Sequence, residues 1–414
     1  MPTAPQPFRI DIAQSVLDDL QTRLARVRWP DEPPLAPWSS GTSLDYMREL
    51  VDYWRGRFDW RAQEAKLNAF AQFTVPLAGI DVHFIHEQGK GPAPVPLLLS
   101  HGWPGSVFEF HKIIPLLTDP ARFGGDPADA FTVVAPSLPG YGFSFRPGQE
   151  RFSVERIADV FAQLMTDVLG YRRFAAQGGD WGGFVTSRLG LLYPERLYGI
   201  HVNMLAVRRD PKALQDASAE EQAFAAELSR WLKEETGYQW IQGTKPQTLA
   251  YGLSDSPAGL AAWIVEKFRA WSDCGGDVES VFTKDELLTN IMLYWVTGAI
   301  GSSFWPYYAR MHGAWPIPEG ARVEAPTGYV EFPREMLRPP RALVPPSAWP
   351  SSFIPTRKQA PSSRARTLCP RSLVFGCVSL NPARPLSTGS VGPILSPGSR
   401  RCCCSRRWCS EKPF

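Results

Sequence analysis

The chain has 414 residues, of which 44% are hydrophobic and 15 are tryptophan, and this indicates a globular protein long enough for a large core and an insertion. Its net charge is +3, but the charge is unevenly distributed. Residues 1–335 are acidic, with 31 Lys and Arg against 40 Asp and Glu, and residues 336–414 are basic, with 13 Lys and Arg against 1 Glu. No run approaches the roughly 18 apolar residues of a membrane span, which excludes one.

The N-terminal residues and the cysteines indicate a compartment. Residues 1–8 contain neither the basic nor the apolar region of a signal peptide. Cys274 is the only cysteine before residue 336, so the body has no disulfide framework, and this favours a reducing environment. We therefore expect a cytoplasmic protein.

The N-terminal part is predicted to be a helical meander followed by a hairpin. Apolar side chains recur at helical spacing over residues 9–29 and 43–58, and residues 59–68 predict a further short helix. Residues 73–86 alternate as strands do, with a turn near Ala78-Gly79.

Strands and helices then alternate. Four strands are predicted: one over residues 95–100, one that begins at Phe131, one that ends at the turn at Gly178, and one over residues 197–204. A helix is predicted over about residues 153–169. This order predicts a doubly wound, mostly parallel α/β sheet whose reactive loops lie at the carboxyl ends of the strands. Residues 207–310 are mostly helical and rich in Trp, as in an inserted helical lid, and residues 326–332 predict a return to the sheet.

A glycine-rich turn separates a strand from a helix at Gly178-Gly179-Asp180-Trp181-Gly182. This is the pattern of a nucleophile elbow, in which one reactive side chain sits on a strained turn. Aspartate in that position suits attack on an sp³ carbon to give an alkyl ester. The alternative is an ordinary turn with an N-capping Asp.

A second turn follows the strand over residues 95–100, at His101-Gly102-Trp103-Pro104-Gly105-Ser106. The backbone N–H of Trp103 could pair with that of Trp181 as an oxyanion hole. Alone this could be a simple Gly/Pro turn, but two such segments in this order predict the α/β-hydrolase fold.

Six short motifs extend the comparison: Arg28-Trp29-Pro30, Phe58-Asp59-Trp60-Arg61, His101-Gly102-Trp103-Pro104-Gly105-Ser106, Gly178-Gly179-Asp180-Trp181-Gly182, Thr244-Lys245-Pro246-Gln247-Thr248 and Asp255-Ser256-Pro257-Ala258-Gly259-Leu260. Together they resemble the epoxide hydrolases of the microsomal and juvenile-hormone type, α/β-hydrolases with a long N-terminal meander. The resemblance covers about residues 7–340. It implies hydrolysis of a small apolar epoxide by water to a vicinal diol, in detoxification or catabolism of aromatic hydrocarbons, without cofactor or metal.

The resemblance also implies roles for individual residues. Asp180 becomes the nucleophile, and two lid tyrosines protonate the leaving oxygen: Tyr238 and one of Tyr307 and Tyr308, with Tyr307 favoured. Glu335 matches the carboxylate that holds a histidine base. The alternatives are lid tyrosines that only pack and a glutamate that only lies on the surface.

The family's histidine, which follows the glutamate, has no counterpart. The six histidines are His83, His86, His101, His111, His201 and His312, and none follows Glu335. Residues 336–414 contain 13 Pro, 13 Ser and six of the seven Cys, a composition that predicts a disordered tail. We interpret the change as a shift of reading frame near residues 338–343, and we expect impaired turnover.

The sequence predicts five segments. The segments are a meander and hairpin (1–90), the first part of the core (91–206), the lid (207–310), a return to the core (311–337) and a basic tail (338–414). The tail lacks the aromatic interleaving of a nucleic-acid binder and the paired cysteine spacing of a zinc site. A haloalkane-type dehalogenase and a non-catalytic ligand-binding protein stay open, as does a homodimer.

Overall fold

Three amphipathic helices open the chain. The computed structural model describes residues 4–205, 218–318, 320–332, 334–336 and 338–340. The three helices are α1 (Gln14–Ala25), α2 (Leu44–Gly56) and α3 (Trp60–Leu67), which confirms the predicted meander. Helix α2 buries Met47, Leu50, Val51 and Trp54, which recur at helical spacing along one face. Helix α3 begins where the Asp59 side chain accepts a hydrogen bond from the Ala62 N–H.

In the part of the chain that the structure describes, eight strands form one sheet in the order β1-β2-β3-β5-β4-β6-β7-β8. They are β1 (Gln6–Phe8), β2 (Gln72–Leu77), β3 (Ile80–Glu87), β4 (Val95–Ser100), β5 (Phe131–Pro136), β6 (Phe174–Gly178), β7 (Leu197–Val202) and β8 (Thr327–Tyr329). Strands β4 to β8 pair in parallel, and β1 to β3 add an antiparallel edge. The predicted mostly parallel α/β-hydrolase sheet is confirmed.

The hairpin between β2 and β3 turns at Ala78 and Gly79, as predicted. Both residues have positive φ, 53° and 82°, which is the two-residue turn whose twist matches that of the flanking strands.

Helices of the core cover the sheet. They are α4 (Ile113–Thr118), α5 (Val154–Gln163), which continues into one π turn over Leu164–Val168, and α6 (Asp180–Leu192). The predicted helix over about 153–169 is therefore confirmed. Helix α6 packs its buried Val185 and Leu189 into the main core.

Seven helices follow β7 within the described residues: α7 (Ala219–Glu234), α8 (Gly237–Thr244), α9 (Pro246–Asp255), α10 (Pro257–Ala270), α11 (Lys284–Thr297), α12 (Ile300–Ser303) and α13 (Trp305–His312). Capping boxes begin α7 at Ser218 and α11 at Thr283, and Gly298 ends α11 in the left-handed conformation. Strand β8 then pairs with β7, which is the predicted return to the sheet.

No single described helix has the length and apolar composition of a membrane span, although the bent pair of α11 with Ile300–His312 passes on those two criteria. The first residues of the predicted lid, 207–217, and the predicted tail beyond residue 340 lie outside the described residues.

Candidate active site

The turn between β6 and α6 places Asp180 in a backbone conformation that is uncommon for a residue with a side chain. Its φ is +48°, in the left-handed region. The flanking glycines are needed because backbone atoms approach them closely. A Cβ on Gly182 would lie 1.9 Å from the Ser100 carbonyl oxygen, and one on Gly178 would lie 2.1 Å from the Gly182 carbonyl oxygen. The strained strand-to-helix turn predicted from the sequence is present.

The Asp180 carboxylate contacts the loop His101–Ser106, which we call the oxyanion loop. The Trp103 N–H donates a hydrogen bond of 2.7 Å to Asp180 Oδ1. Burial raises the pKa of the Asp180 carboxyl to about 6, and hydrogen bonds from the backbone N–H groups of Trp103 and Trp181 oppose that rise. The two predicted oxyanion-hole donors therefore hold the carboxylate in the resting protein.

A buried histidine fixes one end of the oxyanion loop. His101 Nε2 accepts a hydrogen bond of 3.1 Å from the Leu138 N–H, so the ring proton is on Nδ1, which lies 3.1 Å from the Gly102 carbonyl oxygen and donates to it. Burial lowers the pKa of His101 to about 4, which keeps the ring neutral and this arrangement intact near neutral pH.

Helix α11 fixes the other end of the oxyanion loop. The Asn290 side-chain amide donates to the Pro104 carbonyl oxygen at 2.8 Å, and the Tyr294 hydroxyl donates to the Gly105 carbonyl oxygen at 2.6 Å. Both side chains are buried. Because buried polar groups that are fully hydrogen-bonded restrict the backbone strongly, the lid helix and the loop form one rigid unit here.

Four aromatic side chains pack together next to the two turns that hold Asp180, and we call them the aromatic box: Trp103, Trp181, Tyr238 and Tyr307. Each is no more than 7% exposed. The ring of Tyr238 stacks on that of Trp103 at 5.3 Å. The ring of Tyr307 meets those of Trp181, Tyr238 and Trp103 edge to face at 4.8, 5.7 and 5.8 Å. Tyrosines of two lid helices, α8 and α13, thus meet tryptophans of the two predicted reactive turns.

The two tyrosine hydroxyls differ in their surroundings. The Tyr238 hydroxyl accepts a hydrogen bond of 2.8 Å from the Gln239 amide. Among the described residues, no group hydrogen-bonds to the buried Tyr307 hydroxyl. Burial raises the pKa of Tyr307 well above its usual value, and the neighbouring Tyr238 and Asp180 raise it further. The Trp181 indole has the opposite effect on this pKa, although its N–H does not reach hydrogen-bonding geometry.

The structure distinguishes the adjacent Tyr307 and Tyr308, between which the sequence did not decide. Tyr308 is half-buried, and its ring stacks on His312 at 4.0 Å and on Trp305 at 4.7 Å. Successive helical residues point about 100° apart, so only one of the pair can enter the aromatic box. Tyr307 does, and Tyr308 does not.

Glu335, the predicted partner of a histidine, is half-buried beyond the end of β8. Its Oε1 accepts a hydrogen bond of 3.0 Å from the Met336 N–H. Burial raises the pKa of this carboxyl, and the charge of Asp180 is among the groups that raise it further. Glu335 is therefore close enough to Asp180 for the two carboxylates to repel each other.

Glu109 lies beside the site and was not among the residues predicted from the sequence. Its carboxyl faces the oxyanion loop, where the backbone N–H groups of Gly102 and Ser106 lower its pKa. Burial and the charge of Asp180 raise its pKa to about 8. The one available signal was a single acid within the apolar run Val107-Phe108-Glu109-Phe110.

Comparison with known proteins identifies the group to which this site belongs. Residues 5–110 match the family described as Epoxide hydrolase N terminus, and residues 95–256 match the alpha/beta hydrolase fold family. The chain is 37% identical over 369 residues to Epoxide hydrolase 1 of Oryctolagus cuniculus, covering 82% of this chain and 80% of that protein. The chain belongs to the epoxide hydrolases. This epoxide hydrolase is also 46% identical over 335 residues to a Stigmatella aurantiaca homologue, covering 81% and 75% of the two chains.

Solved structures agree with the assignment of this epoxide hydrolase. The juvenile hormone epoxide hydrolase of Bombyx mori aligns with a TM-score of 0.69 at 32% identity, over 82% of this chain and 84% of that one. The Aspergillus niger epoxide hydrolase aligns with a TM-score of 0.71 at 31% identity, over 83% and 87%. The resemblance inferred from the six motifs is therefore confirmed at the level of family and fold.

Proposed function

We propose that this epoxide hydrolase opens a small apolar epoxide through an alkyl ester on Asp180. The observation that carries the proposal is the position of the Asp180 carboxylate, which is held on a strained turn next to an aromatic box that includes two lid tyrosines. A carboxylate that is partly desolvated and fixed in direction is prepared to attack one carbon of the epoxide.

Epoxide opening also needs a proton donor, because the leaving alkoxide is otherwise too basic. Tyr307 suits this role, since its raised pKa keeps it protonated and its hydroxyl is not committed to another described group. Tyr238, across the aromatic box, would provide the second donor. The apolar rings around them favour an apolar substrate.

Hydrolysis of the ester is the step that this chain would perform poorly. A histidine held by a carboxylate usually activates the water for such a step. Glu335 lies close to Asp180, but no histidine follows it in the sequence. We infer that the ester forms readily and decays slowly.

The experiment that tests this proposal is a single-turnover reaction of the full chain with styrene oxide. We expect rapid consumption of one epoxide per chain with no matching burst of diol, and intact mass spectrometry should show one epoxide bound, with the peptide map assigning it to Asp180. Sustained multiple turnover at the burst rate would contradict slow ester decay. Tight styrene oxide binding without any adduct would support the non-catalytic ligand-binding alternative.

The pH dependence of adduct formation follows from the state of Asp180. The carboxyl attacks only when ionised, and its pKa is raised to about 6. We expect the rate of labelling to fall about tenfold for each pH unit below 6 and to level off above it, because the ionised fraction behaves in that way. Labelling rates measured by mass spectrometry from pH 4.5 to 8 would check this; a rate that stayed constant down to pH 4.5 would contradict it.

A dehalogenase is the second candidate, favoured by one specific observation. Trp103 and Trp181, whose backbone N–H groups influence Asp180, have indole N–H groups without an acceptor among the described residues. Two such donors could bind a departing halide ion. Release of bromide from 1-bromobutane by the full chain, measured beside epoxide labelling, would distinguish the two functions.

A further inference from the structure

Glu109 and Asp180 both lie against the oxyanion loop. A Cβ on Gly102 would fall 2.3 Å from Asp180 Oδ1, so one side of this glycine touches the nucleophile. Gly105, three residues further along the same loop, faces Glu109 Oε1 in the same way. The two carboxyls therefore lie against one short loop, and the charge of Asp180 affects the pKa of Glu109 through this proximity.

The oxyanion loop is shaped to receive the Glu109 side chain. A Cβ on Gly105 would fall 1.5 Å from Glu109 Oε1 and 2.5 Å from its Cδ, so any larger residue would exclude the carboxyl from this position. The Glu109 side chain is exposed to solvent-accessible space, although the surrounding protein raises the pKa of its carboxyl. It is thus a polar group with access to water beside the reacting centre.

The groups facing Glu109 make its charge depend on that of Asp180. Tyr141 and Tyr294 also interact electrostatically with it, and burial raises the pKa of both well above the usual value, so they stay neutral. Asp180 is the charged neighbour that helps to raise the pKa of Glu109 to about 8. When Asp180 becomes a neutral ester, that repulsion ends, and Glu109 ionises more easily.

We propose that Glu109 is the general base that removes a proton from the water attacking the Asp180 ester. This inference rests on the proposed ester mechanism. It gives the chain a slow route to the diol through a carboxylate, where the sequence supplies no histidine after Glu335.

The steps balance without any further reactant. After epoxide opening, the tyrosine that protonated the alkoxide regains a proton from solvent, and Glu109 releases its own to solvent. Ionised Glu109 takes a proton from water as the water oxygen bonds to the ester carbon of Asp180. The ester C–O bond then breaks, the diol oxygen takes the proton from Glu109, and the new Asp180 carboxylic acid returns its proton to Glu109.

The test follows decay of the adduct rather than its formation. The full chain and Glu109→Gln are labelled with styrene oxide, desalted, and followed by intact mass over time at several pH values. Glutamine has the shape of glutamate and its side-chain oxygen can face the Gly102 and Ser106 N–H groups as the carboxyl does, so we expect the loop to be retained. We expect the ester lifetime near pH 7 to increase about 10²-fold in Glu109→Gln, a typical contribution of a general base.

The pH profile distinguishes a base from a merely structural residue. In the unchanged chain the decay rate should rise with pH and reach a plateau once Glu109 is ionised. In Glu109→Gln it should rise in proportion to hydroxide throughout. Glu109→Asp, which keeps the charge but shortens its reach, should give an intermediate rate with a plateau.

Glu335→Gln is the matched comparison, because that carboxyl also lies near Asp180. Equal lifetimes and profiles in Glu109→Gln and the unchanged chain would overturn the proposal, as would a lengthened lifetime in Glu335→Gln alone. Absence of any adduct in the unchanged chain would instead refute the ester mechanism, so the two failures are distinct.

Discussion

Asp180→Asn should abolish covalent capture of the epoxide while leaving the fold intact. An amide has no anionic oxygen to attack the epoxide carbon, so labelling should fall below detection under conditions that label the unchanged chain completely. Asparagine is well suited as the replacement because it tolerates the left-handed φ of +48° better than most residues. Its side-chain oxygen can still accept the Trp103 N–H.

The measurement is intact mass before and after exposure to styrene oxide, with the first spectrum confirming that the amide is unchanged. Asp126→Asn is the control, since exposed Asp126 begins a turn by accepting the Ala128 N–H and asparagine can do the same. The control should be labelled fully, at Asp180. An adduct on Asp180→Asn, attached to another carboxylate, would show that the nucleophile is wrongly assigned.

Replacement of both Tyr238 and Tyr307 by Phe should remove epoxide opening and spare halide displacement. A positioned general acid contributes about 10²- to 10⁴-fold, so the double variant should label at least about 10²-fold more slowly, and each single variant should lose less because one donor remains. A halide leaves without a proton, so a dehalogenase would keep its rate.

The structure also predicts how these variants fold. The Tyr307 hydroxyl is buried without a hydrogen-bond partner among the described residues, so its removal should not lower the melting temperature. Tyr308→Phe is the control, because Tyr308 stacks on His312 outside the aromatic box. Labelling rates with styrene oxide and circular dichroism melting curves would measure both effects. A double variant that opens the epoxide at the original rate would exclude the tyrosines as acids.

Local sequence patterns predicted the parts of the site that depend on neighbours along the chain. The turn at Gly178–Gly182 was recognisable because small residues, a reactive side chain and a following helix are adjacent in sequence. The hairpin at Ala78-Gly79 was predictable for the same reason. Tyr238 came only from family resemblance, since a lid tyrosine has no local pattern that distinguishes a proton donor from a packing residue.

Apart from the pairing of the two reactive turns, contacts between distant segments could not be predicted. Tyr307 and Tyr308 are neighbours with the same chemistry, and only the orientation of α13 decides between them. Asn290 and Tyr294 reach Pro104 and Gly105 across more than 180 residues of sequence. Glu109 acquires its position only when the oxyanion loop folds back on it, so the single acid in an apolar run did not by itself indicate a place beside Asp180.

The attachment of α11 to the oxyanion loop limits how the helical insertion can move or be exchanged. If α11 swung away with the rest of the insertion, it would pull on the loop whose N–H holds the nucleophile. We therefore expect any opening of the site to move helices other than α11. A chimaera that takes its helical insertion from a relative should therefore keep α11 of the original chain, so that the oxyanion loop keeps its hydrogen bonds to Asn290 and Tyr294.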